Sequence, residues 1–246
     1  MKEKFLIPIA ILIAGLMVSI ALIYNVGSKN INQPPQQPNT SADEKPSQNK
    51  SPLDNLRPVS ADDHIRGNPQ APIKIIEFSD LECPYCKFFH STMQKIVADY
   101  EKEGKVAWVY RHFPIDQLHS KARKEAEASE CAAELGGPLD SEASNEKFWA
   151  YIDKVFASTP SNNNLDLKLL PKFAQDIGLN RQQFEDCLSS GKYNDRVAQD
   201  VSEAMDIGIT GTPSSVVINQ KGEKTVIPGA LPYEQVKEMI EQALGQ

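Results

Sequence analysis

The chain has 246 residues, of which 40% are apolar, and its formal net charge at neutral pH is −7. This composition is sufficient for one good hydrophobic core. The acidic balance, with no basic stripe and no interleaving of aromatic and basic residues, gives nucleic-acid binding no support. We therefore expect no nucleic-acid partner.

The N-terminal 24 residues predict a membrane anchor. Residues 5–24 form an uncharged, mostly apolar stretch preceded by Lys2 and Lys4, and it is long enough to form a transmembrane helix. A cleavable signal peptide is the alternative, although its apolar part is usually shorter and Ser19-Ile20-Ala21, the small-x-small candidate, lies inside the stretch. The preceding lysines favour a cytoplasmic N-terminus, which predicts a single-pass protein of the cell membrane with its globular domain on the extracytoplasmic side.

Residues 25–56 predict a disordered linker. Pro, Gln, Asn, Ser and Lys dominate this segment, which includes Gln33-Pro34-Pro35-Gln36-Gln37-Pro38 and has almost nothing to bury. A flexible coil of this length has a reach of roughly 30 Å. We therefore expect the globular domain, residues 57–246, to stand off the membrane while remaining close to it.

The first globular elements are a strand at residues 73–78 and a helix over residues 84–103, and Cys83-Pro84-Tyr85-Cys86 lies at their junction. Two cysteines with this spacing at a helix start can form a dithiol/disulfide pair, because unpaired N–H groups and the helix dipole favour a thiolate at the first sulfur. Pro84 suits the first helical position. Half of a zinc site and two inert core cysteines are the alternatives, but a closed zinc site needs a second close ligand pair, so we expect no metal.

The remaining chain predicts more strands around a block of helices. A second strand covers residues 105–111, and from about 115 to 208 apolar residues recur at helical spacing with little strand potential. Strands resume at residues 214–219 and 224–227, and a helix over residues 232–244 follows them. This order is typical of an α/β protein with a thioredoxin fold and an inserted helical domain.

Four further motifs, spaced around the cysteine pair, carry a specific resemblance. They are Glu77-Phe78-Ser79-Asp80, Arg111-His112-Phe113-Pro114, His119-Ser120-Lys121-Ala122 and Gly208-Ile209-Thr210-Gly211-Thr212-Pro213. From about Arg57 onward, the chain resembles the DsbA family of extracytoplasmic thiol–disulfide oxidoreductases, in particular its membrane-anchored, Gram-positive-type branch.

The resemblance implies a role for each residue of the motif and of one distant loop. Cys83 resembles the attacking, solvent-facing thiol, and Cys86 resembles the resolving thiol that closes the disulfide, with Pro84 and Tyr85 between them. Thr212-Pro213 resembles the loop whose cis-proline faces this disulfide and whose preceding residue pairs with the substrate backbone. Without the family context, an ordinary turn proline would be the simpler interpretation.

Three acids near the cysteine pair receive separate interpretations. Glu77, an acid within an apolar strand, either faces outward or matches the buried acid of the family. In the second case desolvation would raise its pKa, and it would take up or relay the proton of the resolving thiol. Asp80 and Glu82 are interpreted as solvated loop acids, whose charge would raise the pKa of a nearby Cys83.

The other two cysteines, Cys131 and Cys187, fall in two helices of the insertion. They could be free buried thiols that behave as small hydrophobic side chains. An extracytoplasmic setting, an even cysteine count and the cysteine pair found in this branch of the family favour a structural disulfide instead.

The function implied by the resemblance is the introduction of disulfides into secreted or surface proteins. Unfolded or reduced secreted proteins would be the substrates, and a DsbB- or VKOR-like membrane protein would reoxidise the cysteine pair. No cofactor is expected beyond the redox-active disulfide. Two alternatives remain at this point: a disulfide isomerase or reductase, and a tethered chaperone for secreted proteins.

Overall fold

The computed structural model describes residues 51–245. The predicted transmembrane stretch at residues 5–24 and nearly all of the predicted linker lie outside these residues. Among residues 51–245, no helix is both long and apolar enough to cross a membrane.

Five strands and seven α-helices make up the described part of the chain, together with short 3-10 turns at Pro52–Asn55 and Leu167–Leu169. In chain order they are β1 (His64–Gly67), β2 (Ile73–Ser79), α1 (Pro84–Tyr100), β3 (Val106–His112), α2 (Ala122–Gly136), α3 (Glu142–Ser158), α4 (Leu170–Asp176), α5 (Arg181–Ser190), α6 (Asn194–Asp206), β4 (Ser214–Ile218), β5 (Lys224–Pro228) and α7 (Tyr233–Ala243).

The strands form one mixed sheet in the order β1-β3-β2-β4-β5. Only β2 and β3 pair in parallel, because α1 crosses over between them; the other neighbours are antiparallel. Helices α2 to α6 are all inserted between β3 and β4. The prediction of an α/β sheet that carries a helical insertion is confirmed.

The central strand β2 is buried on both faces, and its side chains alternate between them. Ile73 and Ile75 face a large cluster that includes side chains of α1, α7 and the insertion, whereas Ile76 and Phe78 face a smaller cluster with side chains of α6. By this alternation Glu77 lies on the same face as Ile75, towards α1. The strand therefore directs an acid beneath the helix that carries the cysteine pair.

The edge strand β1 was not predicted. It is only four residues long and includes Arg66 and Gly67, so it lacks an apolar strand pattern. Its outer edge is covered by Asn145 of α3, whose side-chain amide accepts from the Ile65 N–H at 2.9 Å and donates to the Ile65 carbonyl at 2.6 Å. A side chain thus takes the place of a further strand.

The described residues include folded structure on the N-terminal side of the predicted boundary at Arg57. Ser51 caps the turn at Pro52–Asn55 by accepting from the Leu53 N–H at 3.3 Å. Leu56, expected in the linker, is buried beside Phe78 in the smaller cluster. The composition of the segment did not predict this burial, because Leu56 packs in a cluster formed by residues that are distant in the sequence.

Two further links tie the elements together. A disulfide joins Cys131 of α2 to Cys187 of α5, the pair expected from the family, with the Cα atoms 5.9 Å apart. The buried Arg111 of β3 donates to Asp63 at 3.0 Å and to Glu203 of α6 at 2.8 Å. This cluster connects the sheet to both the segment before β1 and the insertion.

Candidate active site

The cysteine pair lies where β2 ends and α1 begins. A tight turn connects them, in which the Cys83 N–H donates to the Asp80 carbonyl at 3.1 Å. Cys83 is the N-cap residue of α1, with φ −78° and ψ 122°, and Pro84 begins the helix. Both thiols are free in this structure. The Cys83 sulfur therefore lies beside the unpaired N–H groups of the first helical turn.

The surroundings of the Cys83 thiol favour its thiolate. A hydrogen bond from the Cys86 side chain, aided by the N–H groups of Cys86 and Tyr85, lowers the pKa of Cys83 to about 6 in spite of its burial. When protonated, the thiol can instead donate to the Thr212 carbonyl oxygen, which lies 3.4 Å from its Sγ. At neutral pH the more accessible sulfur is therefore largely the nucleophilic form.

Cys86 has the opposite character. It is 0% exposed, against 4% for Cys83, and its Sγ accepts from the Asp80 N–H at 3.4 Å. Burial raises the pKa of Cys86 well above its ordinary value. In the reduced protein Cys86 is therefore the protonated thiol and Cys83 the thiolate.

The structure places Glu77 inside the protein rather than on an outer surface. Its Oε2 accepts from Trp108 Nε1 at 2.8 Å, while Oε1 has no hydrogen-bond partner. Burial raises the pKa of Glu77 to about 7, and its charge in turn raises the pKa of Cys86. Glu77 can therefore exchange a proton near neutral pH next to the buried thiol.

Trp108 was not predicted as a site residue. It lies on β3, two residues before Tyr110, which is the register partner of Glu77 in β2. The parallel pairing of β2 with β3 would have identified Trp108, because side chains two residues apart in a strand share one face of the sheet. The sequence alone does not give that register.

The loop before β4 meets the cysteine pair. The Thr212–Pro213 bond is cis, as the family resemblance implied, and Pro213 is buried. The carbonyl of Thr212 is the group that contacts Cys83, across 129 residues of sequence. The structure thus brings together all the site residues expected from the motif and from this loop.

The interpretation of Asp80 and Glu82 as solvated acids was wrong, because both are buried. Asp80 Oδ2 accepts from the Ile115 N–H at 2.8 Å and lies 2.9 Å from His119 Nδ1. Burial raises the pKa of Asp80. Although acids and a histidine meet here, no group of three or more such side chains within residues 51–245 is arranged to hold a metal ion.

Two aromatic side chains are exposed on the first turns of α1. Tyr85 is 68% exposed and Phe88 is 54% exposed. Their spacing of three residues places them on one side of the helix. They provide an exposed apolar surface shortly after Cys83 in the sequence.

A thioredoxin family model matches residues 60–242. The chain belongs to the thioredoxin family. Among solved structures it is similar to Pseudomonas aeruginosa DsbA2, with a TM-score of 0.61, 26% identity and coverage of 76% of this chain and 96% of that one. It is also similar to oxidised BdbD of Bacillus subtilis, with a TM-score of 0.64, 25% identity and coverage of 78% and 97%. These matches place this thioredoxin-family chain among the DsbA-type thiol–disulfide oxidoreductases.

The curated relatives that this chain matches are longer proteins, and they are named as Na(+)/H(+) antiporters. A segment of 166 residues is 32% identical to part of the Na(+)/H(+) antiporter NhaA 3 of Salinispora tropica, covering 67% of this chain and 23% of the antiporter. The chain thus spans about a quarter of the length of the curated relatives it matches. The antiporter name describes those longer proteins.

Proposed function

We propose that this DsbA-type protein introduces disulfides into secreted or surface proteins by thiol–disulfide exchange at Cys83 and Cys86. The observation that carries the proposal is that the pKa values of the two thiols are shifted in opposite directions. The pKa of Cys83 is lowered to about 6, and the pKa of Cys86 is raised. Stabilising the Cys83 thiolate favours the reduced form, so the oxidised form gives up its disulfide readily. This supports the oxidase direction over isomerase or reductase activity.

The exchange proceeds in two balanced steps. A substrate thiolate attacks Cys83 Sγ of the Cys83–Cys86 disulfide; a mixed disulfide forms and Cys86 leaves as a thiolate, which takes up a proton. A second substrate thiolate then attacks the substrate sulfur of the mixed disulfide, and Cys83 leaves as a thiolate. The substrate loses two electrons, and the cysteine pair gains them.

Glu77 and Thr212 support these steps at defined atoms. Glu77 lies close enough to Cys86 for their charges to interact, and its pKa of about 7 suits a group that donates a proton to the leaving sulfur. The backbone of Thr212, beside Cys83, is placed to pair with an extended substrate. Tyr85 and Phe88 offer that substrate an apolar contact.

We place this chemistry outside the cytoplasm, tethered through residues 5–24. The apolar stretch at the N-terminus supports the tether, and the Cys131–Cys187 disulfide supports an oxidising compartment. Electrons enter and leave through thiols, so the proposal requires no bound cofactor. A DsbB- or VKOR-like membrane protein would return Cys83 and Cys86 to the disulfide.

Selective alkylation of the reduced full-length protein tests the assignment of roles. At mildly acidic pH, iodoacetamide should label Cys83 well before Cys86, because only Cys83 is then appreciably ionised. Peptide mass spectrometry identifies the labelled residue, and preferential labelling of Cys86 would contradict the proposal.

The direction of electron flow is tested in living cells. An oxidase keeps Cys83 and Cys86 mainly as a disulfide, whereas an isomerase or reductase keeps them mainly as dithiols. Acid quenching followed by thiol-specific mass tagging distinguishes the two. A double Cys83→Ser/Cys86→Ser variant that retained full cellular function would instead favour the chaperone alternative.

A further inference from the structure

Asp80 lies in the turn before the cysteine pair and contacts both cysteines through its backbone. Its carbonyl accepts from the Cys83 N–H at 3.1 Å, and its own N–H donates to Cys86 Sγ at 3.4 Å. The exchange described so far assigns no role to the second contact. Because Cys86 is the sulfur that leaves when a thiolate attacks Cys83, the Asp80 N–H donates to the atom on which negative charge develops.

An N–H group in this position can stabilise a leaving thiolate as backbone donors stabilise an oxyanion. A hydrogen bond to a charged acceptor is stronger than one to a neutral acceptor, so this bond strengthens as the charge develops. Burial raises the pKa of Cys86, and the bond from the Asp80 N–H opposes that rise. Since a thiol of lower pKa leaves faster, the donor favours opening of the disulfide as long as its direction is kept.

The side chain of Asp80 holds this peptide group in place. Asp80 is buried, and its two carboxylate oxygens accept from different parts of the chain. Oδ1 accepts from the Glu82 N–H at 2.8 Å, a bond that closes the turn itself. Oδ2 accepts from the Ile115 N–H at 2.8 Å, which fastens the turn to the segment after β3.

His119, from the segment that opens the insertion, completes the arrangement. Its Nδ1 lies 2.9 Å from Asp80 Oδ2, and because an ionised carboxylate can only accept, Nδ1 is the donor. His119 is itself buried, and its backbone N–H donates to the Ile115 carbonyl at 2.8 Å. Both partners of Oδ2 therefore belong to one short turn.

We propose that the Asp80 N–H stabilises the Cys86 sulfur as it leaves the disulfide, and that His119 is the positioning residue that keeps this N–H directed at it. The role rests on the proposed function, because it requires attack at Cys83 and departure of Cys86. It also gives the insertion a part in the exchange, through the residue that fixes the turn.

The test measures how fast reduced glutathione opens the Cys83–Cys86 disulfide of the oxidised full-length protein at pH 7. The glutathione thiolate bonds to Cys83 Sγ while the Cys83–Cys86 bond breaks, and Cys86 leaves with the electron pair and takes up a proton. Acid quenching, tagging of free thiols and peptide mass spectrometry give the rate.

Two substitutions of His119 should differ in this assay. His119→Ala removes the donor to Asp80 and should slow the opening roughly tenfold, about the effect of losing one hydrogen bond to a charged group. His119→Asn should stay within about threefold of the wild-type rate, because its amide N–H can take the place of Nδ1–H.

His64→Ala is the matched control. His64 is also buried and also lies 2.9 Å from a buried carboxylate, that of Glu130, but it belongs to the edge strand β1. Its replacement should leave the opening rate unchanged. Equal slowing in His64→Ala and His119→Ala would overturn the inference, because a general loosening of the fold would then set the rate.

Asp80→Asn covers the case in which His119→Ala does not fold, since it keeps the size of the side chain. Its amide nitrogen cannot accept, so at least one of the bonds that hold the turn is lost and opening should slow several-fold. A role through charge alone predicts the opposite, because removing a negative charge near Cys86 would lower the pKa of the leaving thiol and speed the opening. A wild-type or faster rate in Asp80→Asn would overturn the inference, as would a wild-type rate in a folded His119→Ala variant.

The same samples distinguish this failure from failure of the proposed function. If glutathione in the wild type is attached to Cys86, the proposed function fails and the inference with it. If glutathione is attached to Cys83 and the His119 and Asp80 variants open at the wild-type rate, only the inference fails.

Discussion

At the scale of single residues, Glu77 has an unfavourable position that chemistry explains better than packing does. It lies on the apolar face of β2, where Ile73 and Ile75 bury without penalty. Burial raises its pKa to about 7, so at neutral pH the folded state bears part of the cost of a buried charge. A group that is costly to the fold and lies close to a reactive thiol is expected to have a functional role.

Replacing Glu77 with Gln should remove that cost and with it a dependence of stability on pH. The folded-state pKa of Glu77 lies above its ordinary value of 4.5, so the stability it contributes is full below about pH 4.5 and is lost as pH rises through about 7. Relative to the wild type, Glu77→Gln should therefore gain on the order of 3 kcal/mol in unfolding free energy between pH 4 and pH 9. Urea unfolding at both pH values measures this.

The exposed Glu101 gives the control, since Glu101→Gln should follow the wild type at both pH values. In the same Glu77→Gln variant, formation of the mixed disulfide through Cys83 should slow, because residue 77 can no longer donate a proton to the leaving Cys86 sulfur. A pH dependence of stability identical to that of the wild type would show that Glu77 does not titrate in the folded protein.

The positions of the site residues were predictable where a motif is local, and burial was unpredictable where it depends on distant partners. Cys83 and Cys86 were identified from four consecutive residues. Glu82 was misjudged because its partner Asn163 is 81 residues away. Whether an acid in a turn is solvated depends on donors that another element brings to it, and the sequence does not show which elements meet.

At the scale of elements, periodicity predicted most of the architecture. The strand expected at residues 73–78 is Ile73–Ser79, and the helix expected over 84–103 is Pro84–Tyr100. The edge strand β1 was missed because its stability comes from pairing with β3 and from Asn145, not from its own composition. Strong local patterns were therefore sufficient for core elements and insufficient for an edge held by its neighbours.

The disulfide between α2 and α5 should stabilise the insertion without taking part in thiol–disulfide exchange. Cys131 and Cys187 are 56 positions apart, and in the chain-entropy model closing such a loop contributes about 4 kcal/mol. The double variant Cys131→Ala/Cys187→Ala should lose up to about that amount in urea unfolding while Cys83 keeps its alkylation rate at pH 5. A matched Cys83→Ala/Cys86→Ala variant that keeps the Cys131–Cys187 disulfide should retain the stability; equal losses in both would contradict the distinction.

At the scale of the whole molecule, one buried cation holds three parts of the chain together. Arg111 of β3 has no exposure and pairs with Asp63 and Glu203. Removing one member of such a cluster leaves uncompensated buried charge, so Arg111→Met should cost about 3–5 kcal/mol of unfolding free energy. Urea unfolding at neutral pH checks this.

A surface pair offers the comparison for Arg111. Arg123 and Asp116 are bonded at 2.7 Å but are partly exposed, and exposed pairs contribute between about 0 and 1 kcal/mol. Arg123→Met should therefore be nearly neutral. Similar losses in the two variants would mean that the Arg111 cluster does not link the parts of the fold.

The proposed anchor is tested on the intact protein. If residues 5–24 span the membrane, the protein should remain with membranes after alkaline carbonate washing and should keep its full mass. Replacing Leu12 and Leu16 with Arg should release it, since each charge at a span centre costs about 2.5–3.5 kcal/mol on the insertion scale. A soluble product that begins just after Ala21 would identify the segment as a signal peptide instead.

The hydrogen bond from Trp108 to Glu77 also makes the protein its own optical reporter. The chain has only two tryptophans, and the second, Trp149, packs against Trp108 with ring centroids 4.6 Å apart. Intrinsic tryptophan fluorescence therefore originates from the ring that bonds Glu77 and from the ring packed against it. Emission followed during a pH titration or a redox cycle would report the proton on Glu77 without any added label.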